Sequence, residues 1–164
     1  MKERIPYDAA VDLLEADHKA LKKMFMGYAA LCEDGAPAPK KRRLALRICQ
    51  ALAVHAQIEE EIFYPQVRQV IGVKALMDEA LQQHAEAKKI IARIEAMKEA
   101  DAGQDAAAKQ LGVLIDGHVL EEREKIFLQA RAAALDLFTM TLPLLKRQPQ
   151  LKTNVRAALV KEAA

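Results

Sequence analysis

Residues 55–65 read His-Ala-Gln-Ile-Glu-Glu-Glu-Ile-Phe-Tyr-Pro, and residues 118–127 read His-Val-Leu-Glu-Glu-Arg-Glu-Lys-Ile-Phe. In each stretch a His is followed four residues later by a Glu: the pairs are His55 with Glu59 and His118 with Glu122. Side chains four residues apart on an α-helix lie one turn apart on the same face. The two stretches therefore predict two helices, each of which presents an imidazole and a carboxylate to the same side.

Two more helices are predicted by the hydrophobic periodicity around the remaining histidines. His18 lies in an apolar stripe that ends at Gly35, and His84 lies in a stripe of its own. The second helix is expected to end or kink near residues 63–64, because Pro65 lacks the backbone donor that a helix interior requires. The four predicted helices cover residues 8–35, 40–64, 73–100 and 105 onward.

The composition favours an all-α protein. The chain is 52% hydrophobic but only 4% aromatic, with 6 Gly and 6 Pro. This is helix-forming composition, and it argues against a sandwich, a barrel or an α/β fold. Helices of this length joined by short links pack as antiparallel neighbours. We therefore expect an up-down-up-down four-helix bundle with a short C-terminal helical extension.

The predicted organisation is one bundle domain over residues 1–147 and a basic, partly helical tail over residues 148–164. The fourth helix either extends into the apolar stretch 135–145 or breaks near residues 134–136. From Pro143 onward, five Lys or Arg residues stand against one Glu. Such a basic run is typical of a solvated appendage.

The charge balance and the cysteines exclude several classes of protein. A formal net charge of +2 does not indicate a surface that binds nucleic acid. No apolar run approaches the roughly 20 residues of a membrane span. The N-terminus has no apolar signal-peptide core. Cys32 and Cys49 form no Cys-x-x-Cys motif, so we expect two small buried thiols in a reducing cytoplasm. A protein partner or a homo-oligomer is not indicated.

All four histidines of the chain lie on apolar stripes, one in each predicted helix. A single His in such a place is more often a hydrogen-bonded core residue than a ligand. Four of them without exception, two followed by a Glu on the same face, favour a metal site instead. The energetics agree, because a buried ionised carboxylate without a partner costs several kcal/mol and no Arg lies on these stripes.

The kinds of ligand predict the kind of metal site. Four imidazoles and two carboxylates are too many ligands for one tetrahedral zinc ion and too nitrogen-rich for calcium or magnesium. They suit two transition-metal ions inside a helical bundle, with positions left for water, an oxo group or a small diatomic ligand. The expected ligands are His18 and His55 on one ion, His84 and His118 on the other, and Glu59 and Glu122 as bridges.

The order of these residues resembles the hemerythrin-like HHE cation-binding family. The similarity covers about residues 8–147 and includes Ala16-Asp17-His18 as well as the two stretches quoted above. The resemblance implies a non-haem di-iron centre with an oxo or hydroxo bridge and two carboxylate bridges, with Zn or Mn as alternative occupants. All six expected ligands match the pattern of that family.

The sequence departs from the oxygen-carrying members of that family at one position. Those proteins have a His-x-x-x-His pair on the third helix, whereas the residue four after His84 is Lys88, and no fifth His exists. The four-His, two-Glu set looks more like the hemerythrin-like domains of iron-centre repair proteins and iron sensors. It favours reaction with peroxide, nitric oxide or oxygen, or exchange of iron, over reversible oxygen carriage, unless Glu86, Tyr64 or water completes the ligand set.

Two functional hypotheses remain open. The first is a di-iron protein that binds, senses or reacts with O2, NO or H2O2, or that handles iron; whether it is an enzyme stays open. The second is a regulatory or interaction bundle with a structural Zn or Fe ion and a basic tail that binds a partner. Tyr28 and Tyr64 are interpreted as core residues rather than as hydrogen-bond donors near the centre. Lys88 either pairs with a nearby carboxylate or extends to solvent.

Overall fold

The structure is a computed structural model that describes residues 9–70, 72, 74–98, 102–132 and 140–152. Apart from short turns these residues are helical, and none of them lies in a strand, so the all-α prediction is confirmed. No helix in these ranges combines the length and the hydrophobicity that crossing a bilayer requires. The helices are α1 (Ala9–Glu33), α2 (Ala38–Ile58), α3 (Tyr64–Val70), α4 (Lys74–Ala96), α5 (Ala102–Glu121), α6 (Leu128–Ala132) and the C-terminal helix (140–152).

Four long helices, α1, α2, α4 and α5, contact one another in a closed ring. Helix α1 packs on α2 and α5, and α4 packs on the same two helices. Near the middle of α1, Lys22 Nζ donates to Asp116 Oδ2 of α5 at 2.8 Å. Further along α1, Tyr28 reaches Asp105, which lies earlier in α5. These two helices therefore run in opposite directions, and each helix of the ring turns buried apolar residues inward.

The turn between α1 and α2 depends on a glycine. Gly35 has a φ of +63°, in the left-handed region that residues with a Cβ rarely adopt. The amide of Ala36 donates to the carbonyl of Leu31 at 2.9 Å, which closes the end of α1. Helix α2 begins at Ala38, earlier than predicted, because Pro39 falls in its first turn, where no backbone donor is needed.

Two π-helical turns interrupt the helices, each of them beginning at a predicted ligand. Helix α2 runs into a π-helical turn at Glu59–Phe63 and continues as α3, and α5 runs into another at Glu122–Phe127 and continues as α6. The second helix was predicted to end or kink near residues 63–64, and the first of these alternatives is therefore wrong. The amide of Tyr64 bonds to the carbonyl of Glu59, five residues back, and this wider turn lets the helix pass Pro65.

The C-terminal helix packs on the rest of the molecule. Leu144 is fully buried and Leu151 is 5% exposed, both within one of the two apolar clusters. The prediction of a solvated appendage from Pro143 onward is therefore wrong for the residues up to 152. The reason is the helical spacing of Met140, Leu144 and Leu151, which puts three apolar side chains on one face.

Two predictions about the C-terminal part stay predictions. The continuation or break of the fourth helix falls on residues 133–139, and most of the basic tail falls on residues 153–164, which lie outside the described residues. The predicted domain boundary at residue 147 falls inside the C-terminal helix. The cysteines are both free thiols, of which Cys49 is buried as predicted, whereas Cys32 is exposed at the end of α1.

A buried polar network joins the end of α1 to the beginnings of α2 and α5. Gln104 is fully buried, donates to the Tyr28 hydroxyl at 3.0 Å and accepts from Arg42 Nη1 at 2.8 Å. Tyr28 in turn donates to Asp105 at 2.5 Å, and Lys41 Nζ donates to the same carboxylate at 3.0 Å. Because these bonds hold the first turn of α5 in place, that helix begins earlier than the sequence predicts.

Replacing Asp105 by alanine should lower the free energy of unfolding at pH 7 by about 1–2 kcal/mol, because Tyr28 and Lys41 lose their shared acceptor. Burial raises the pKa of Asp105, but the bonds from Tyr28 and Lys41 outweigh it and hold that pKa below its ordinary value. The contribution is therefore present above about pH 4, the pKa of an unfolded Asp, and is lost as the pH falls through the lowered folded-state pKa.

Urea unfolding of the metal-free protein at pH 7 and at pH 3 measures this effect of Asp105. The difference between Asp105→Ala and the wild type should shrink at the lower pH. The control is Asp116→Ala, whose exposed pair with Lys22 should contribute less than about 1 kcal/mol. A difference that is as large at pH 3 as at pH 7 would show that the carboxylate charge is not what stabilises the network.

Candidate metal centre

The candidate site is a polar layer between two apolar layers. Buried apolar residues form two clusters, one that includes Phe63 and Phe127 and another that includes Ile48 and Leu111. In each of the four long helices a His lies where the chain passes from one cluster to the other. The helical periodicity thus brings one imidazole from each helix to the same level of the ring.

The structure brings all six predicted residues together in this layer. Each is at most 6% exposed, so all six are withdrawn from solvent. They form two groups in which the potential ligand atoms lie within 4.8 Å of one another. One group is His18, His55, Glu59 and Glu122, and the other is His84, His118, Glu59 and Glu122. Both carboxylates therefore belong to both groups.

The two pairs of histidines have matching geometries. The Nε2 atoms of His18 and His55 lie 3.1 Å apart, and those of His84 and His118 lie 3.2 Å apart. Two ligand atoms that each lie about 2.1 Å from one ion, at roughly a right angle, are about 3 Å apart. The nitrogen atoms of each pair are therefore spaced as two ligands of a common ion are.

Glu59 lies between the two pairs of histidines. Its Oε1 is 2.9 Å from His55 Nε2 and 3.4 Å from His84 Nε2. The residue is fully buried, yet neither of its carboxylate oxygens accepts a hydrogen bond. The nitrogen and oxygen atoms approach closely without pointing at one another, so they converge on a shared space. An ionised carboxylate in this position requires a positive charge nearby.

Glu122 occupies the corresponding place on the other side of the layer. Its Oε1 lies 3.2 Å from His18 Nε2, and its Oε2 lies 3.2 Å from His118 Nε2. Oε1 accepts no hydrogen bond, whereas Oε2 accepts one from the hydroxyl of Tyr64. Each carboxylate thus contacts one histidine from each pair.

The donor set fits transition-metal ions. Its atoms are imidazole nitrogens and carboxylate oxygens, which suit iron, zinc and related ions rather than calcium or magnesium. Three of the four carboxylate oxygens accept no hydrogen bond, and a bound cation would complete their coordination. Metal sites are most precise when their ligands lie on rigid elements. Here every donor lies in a helix or a π-helical turn.

Histidines and carboxylates of the polar layer shift one another's pKa values. Burial lowers the pKa of His55, but the Glu59 carboxylate and the hydrogen bond to Asp17 outweigh it and raise that pKa to about 10. Burial also lowers the pKa of His118, but the hydrogen bond to Glu122 and the charge of Glu122 outweigh it and raise that pKa. Burial raises the pKa of Glu59, yet the charge of His55 pulls it well below its usual value. Because metal ligation requires neutral imidazoles, a cation would bind here in competition with protons.

Hydrogen bonds at the second ring nitrogen orient two of the histidines. Nδ1 of His55 lies 3.1 Å from Asp17 Oδ2, and Nδ1 of His118 lies 2.6 Å from Gln83 Oε1. Such partners fix the tautomer and leave Nε2 free for a metal. Sequence analysis missed both of them. Asp17 gives a weak signal, as the residue just before a predicted ligand, whereas Gln83 gives none, because its partner is on another helix.

The other two histidines are held less firmly. Nδ1 of His84 is 3.6 Å from Glu60 Oε2, and Nδ1 of His18 is buried with no hydrogen-bond partner. Lys88 Nζ donates to both oxygens of Glu60, at 2.8 and 3.0 Å. Of the two predictions for Lys88, pairing with a nearby carboxylate is therefore confirmed. Glu86 is exposed and takes no part in the polar layer.

Tyr64 lies in the core, as interpreted, but its hydroxyl also belongs to the candidate site. Besides the hydrogen bond to Glu122, its hydroxyl lies 3.4 Å from His84 Nε2. Burial, reinforced by the charges of Glu122 and Glu59, raises the pKa of Tyr64 well above its usual value, so the hydroxyl keeps its proton. Tyr28, in contrast, bonds only within the network of Asp105 described above.

Replacing Tyr64 by phenylalanine should weaken metal binding about tenfold or more, because Glu122 loses the donor that orients it. The ring fills the same space, so the loss in unfolding free energy should stay near 1 kcal/mol. Competition with a chelator of known affinity measures the change. Tyr28→Phe is the matched control and should leave the affinity for metal unaltered. Equal affinities for both variants and the wild type would exclude the role assigned to this hydroxyl.

Comparison with known proteins bears on these residues. The model of the hemerythrin HHE cation binding domain matches residues 9–130, a range that contains all six residues of the polar layer. The chain belongs to this family. No curated protein and no solved structure gives a significant match. The family match and the two His/Glu groups together identify a metal-binding HHE domain.

The HHE domain encloses a small cavity beside the polar layer. All four histidines line it, and the rest of the wall is apolar except for Lys88. Its volume is about 20 Å³, which is room for little more than one water-sized molecule. The apolar part of the wall consists of Leu21, Leu52, Ala56, Ala87, Ile91, Ile115 and Val119.

Proposed function

We propose that this HHE domain holds a non-haem di-iron centre. In this proposal one ion is held by His18 and His55, the other by His84 and His118, and the two carboxylates bridge them. One observation carries the proposal. Each carboxylate contacts one histidine of each pair, and three of the four oxygens of the two carboxylates accept no hydrogen bond. The bridging residues are Glu59 and Glu122.

We also interpret the closed ring of α1, α2, α4 and α5 as an up-down-up-down four-helix bundle. The opposite directions of α1 and α5 support this, as do the contacts from Arg93 of α4 to Gln110 of α5 and from Gln83 to Glu121. A bundle of this kind gives each helix one inward face, which accounts for one His from each of the four helices at one level.

The bound molecule in this proposal is a small oxidant, namely O2, NO or H2O2. Iron at this position supplies a redox-active Lewis acid to which such a ligand can bind. The chain contributes a cavity of about 20 Å³, which accepts a molecule of this size and excludes a larger substrate. Apolar side chains keep water away from it, and the hydroxyl of Tyr64 holds a proton at Oη next to Glu122.

Reaction with the oxidant, or exchange of iron, is favoured over reversible carriage. All four histidines of the chain are used in the two pairs, so no further imidazole is left to saturate either ion. Lys88, at the position of a fifth histidine, is held by Glu60. An ion held by His84 and His118 would therefore keep open positions, which tyrosine or water could fill.

Anaerobic iron loading followed by optical spectra tests this function. The expected result is close to two irons per chain and a new charge-transfer band on exposure to oxygen, nitric oxide or peroxide, each added separately. A reversible change with oxygen would indicate carriage, whereas consumption of peroxide or nitric oxide would indicate turnover. His55→Ala should remove the band and lower the iron content. Fewer than two irons in the wild type would contradict the dinuclear assignment.

The alternative is an interaction bundle with one structural metal ion, Zn or Fe. It predicts that a chelator melts the fold and that the metal-loaded protein is inert to all three oxidants. The spectra above therefore separate the two functions. We place the protein in a reducing cytoplasm, which is supported by two cysteines that are both free thiols.

A further inference from the structure

The C-terminal helix, which lies beyond the residues matched by the family, reaches the candidate centre. Gln148 Nε2 donates to both carboxylate oxygens of Asp17, at 3.1 Å each. Asp17 Oδ2 is in turn 3.1 Å from Nδ1 of His55. A continuous chain of three polar side chains therefore joins the C-terminal helix to a predicted ligand.

A second contact anchors the same helix beside the first π-helical turn. Arg147 makes two hydrogen bonds to Glu61, from Nε to Oε2 at 2.8 Å and from Nη2 to Oε1 at 3.2 Å. Glu61 lies two residues after Glu59 in that turn. Paired contacts of this kind between a guanidinium and a carboxylate fix the direction of approach as well as the distance. Together with Leu144, which is fully buried, they hold Gln148 against Asp17.

Among the four histidines, His55 is the one that these contacts tie to the C-terminal helix. His118 is oriented by Gln83 of α4, and His84 lies near Glu60, so both have their neighbours inside the HHE domain. His18 and His84 have no hydrogen-bond partner at Nδ1. Each pair therefore contains one imidazole that a hydrogen bond orients, and of these two it is His55 whose orientation is supported from outside the HHE domain.

We propose that Asp17 and Gln148 are positioning residues for the metal ion held by His18 and His55, and that the C-terminal helix thereby sets how fast this one ion leaves. Asp17 acts by accepting the Nδ1 proton of His55, which leaves Nε2 directed at the metal. Gln148 acts by holding Asp17 in place. The inference rests on the proposed dinuclear function. It adds that the C-terminal helix affects the release of one of the two ions and not of the other.

Cadmium-113 NMR of protein loaded with Cd²⁺ alone tests this, together with release of the metal to a chelator in excess. Asp17→Asn keeps the shape of the side chain but removes its charge, and should shift one of the two resonances. It should also speed release of one ion about 10–100-fold. Gln148→Ala should shift the same resonance and speed release of the same ion about 3–10-fold. The second ion should leave at the wild-type rate in both variants.

Matched controls separate positioning from general loosening of the fold. Asp34→Asn and Gln69→Ala change the same residue types at exposed positions, and both should keep the wild-type resonances and release rates. Circular dichroism confirms folding of each variant. If Asp17→Asn does not fold, Gln148→Ala decides the matter, since that side chain is half-buried.

The outcomes distinguish this inference from the proposed function. A wild-type protein that takes up two cadmium ions, with variants whose two ions leave at wild-type rates, overturns the positioning role alone. Equal acceleration of both ions overturns it as well, because the contact would then act on the whole fold. A wild-type protein that takes up fewer than two ions overturns the dinuclear function and this inference together.

Discussion

Replacing Glu122 by alanine should remove metal from both halves of the centre. The two oxygens of this carboxylate approach different pairs, Oε1 at His18 and Oε2 at His118, each at 3.2 Å. In the proposed dinuclear centre, loss of this shared carboxylate would weaken the binding of both ions at once, and we expect the affinity to fall more than about 100-fold, beyond the usual effect of losing an outer partner. Metal analysis after desalting should find well under one ion per chain, against two in the wild type.

Glu124→Ala provides a close control for this change. Glu124 lies two residues further in the same π-helical turn, but it is exposed. It should keep two ions per chain and the wild-type affinity. His55→Ala should give an intermediate result, with about one ion lost, because His55 belongs to one group only. Retention of two tightly bound ions by Glu122→Ala would rule out a bridging role for this carboxylate.

Removing the metal should lower the melting temperature by about 8–16 °C. A ligand that binds only the folded state, at a free concentration about 1,000 times its Kd, adds about 4 kcal/mol to the free energy of unfolding. For a chain of this length, 164 residues, 1 kcal/mol corresponds to about 2–4 °C in Tm. The structural reason is the pair of buried carboxylates, whose charge the bound ions would neutralise.

Thermal unfolding of metal-loaded and chelator-treated protein, followed by circular dichroism, measures this shift. Glu122→Ala serves as the internal control, because a protein that no longer binds metal should melt at the same temperature with and without chelator. A chelator that lowers the Tm of this variant as much as that of the wild type would indicate an effect on the solvent or on a different site. An unchanged wild-type Tm would show that metal binding and folding are not coupled.

The residues of the polar layer were predictable because two periodic patterns agree on them. The apolar stripes and the His-x-x-x-Glu spacing both follow the period of the α-helix. They therefore place His18, His84 and the two His/Glu pairs each on the inner face of its own helix. The burial of all six residues follows from this agreement. The family resemblance, which residues 9–130 confirm, rests on the same spacing.

The outer partners were not predictable, because tertiary packing decides them. Gln148 and Asp17 are 131 residues apart in sequence, and nothing local to either residue indicates the other. The same holds for Gln83, which meets His118 across the contact of α4 with α5. The burial of the C-terminal helix was missed for a related reason, since the five basic residues from Pro143 onward drew attention away from three apolar ones on a single face of the helix.

The place of the Tyr64 hydroxyl in the candidate site was missed for a local reason. An uninterrupted α-helix continues the inner face of His55 and Glu59 to Ile62 and Gln66, but Gln66 is exposed while Tyr64 and Val67 are buried. The π-helical turn holds one residue more than the α-helical turn that it replaces, and so it moves the inner face by one position. No pattern with a constant period contains that step.

This extra residue makes the wider turn itself part of the site. A helix that kept all its residues but lost the wider turn within Glu59–Phe63 or Glu122–Phe127 would rotate everything after that turn by about 100° relative to what precedes it. Tyr64 would then turn away from Glu122, although every side chain of the polar layer were still encoded. Insertions and deletions are ordinarily tolerated in loops and excluded from cores by packing. Here a single deletion inside either wider turn would leave a regular helix whose later residues keep their face, whereas a deletion elsewhere in the four long helices would rotate them. In an alignment of functional relatives, gaps within these helices therefore belong in the two wider turns.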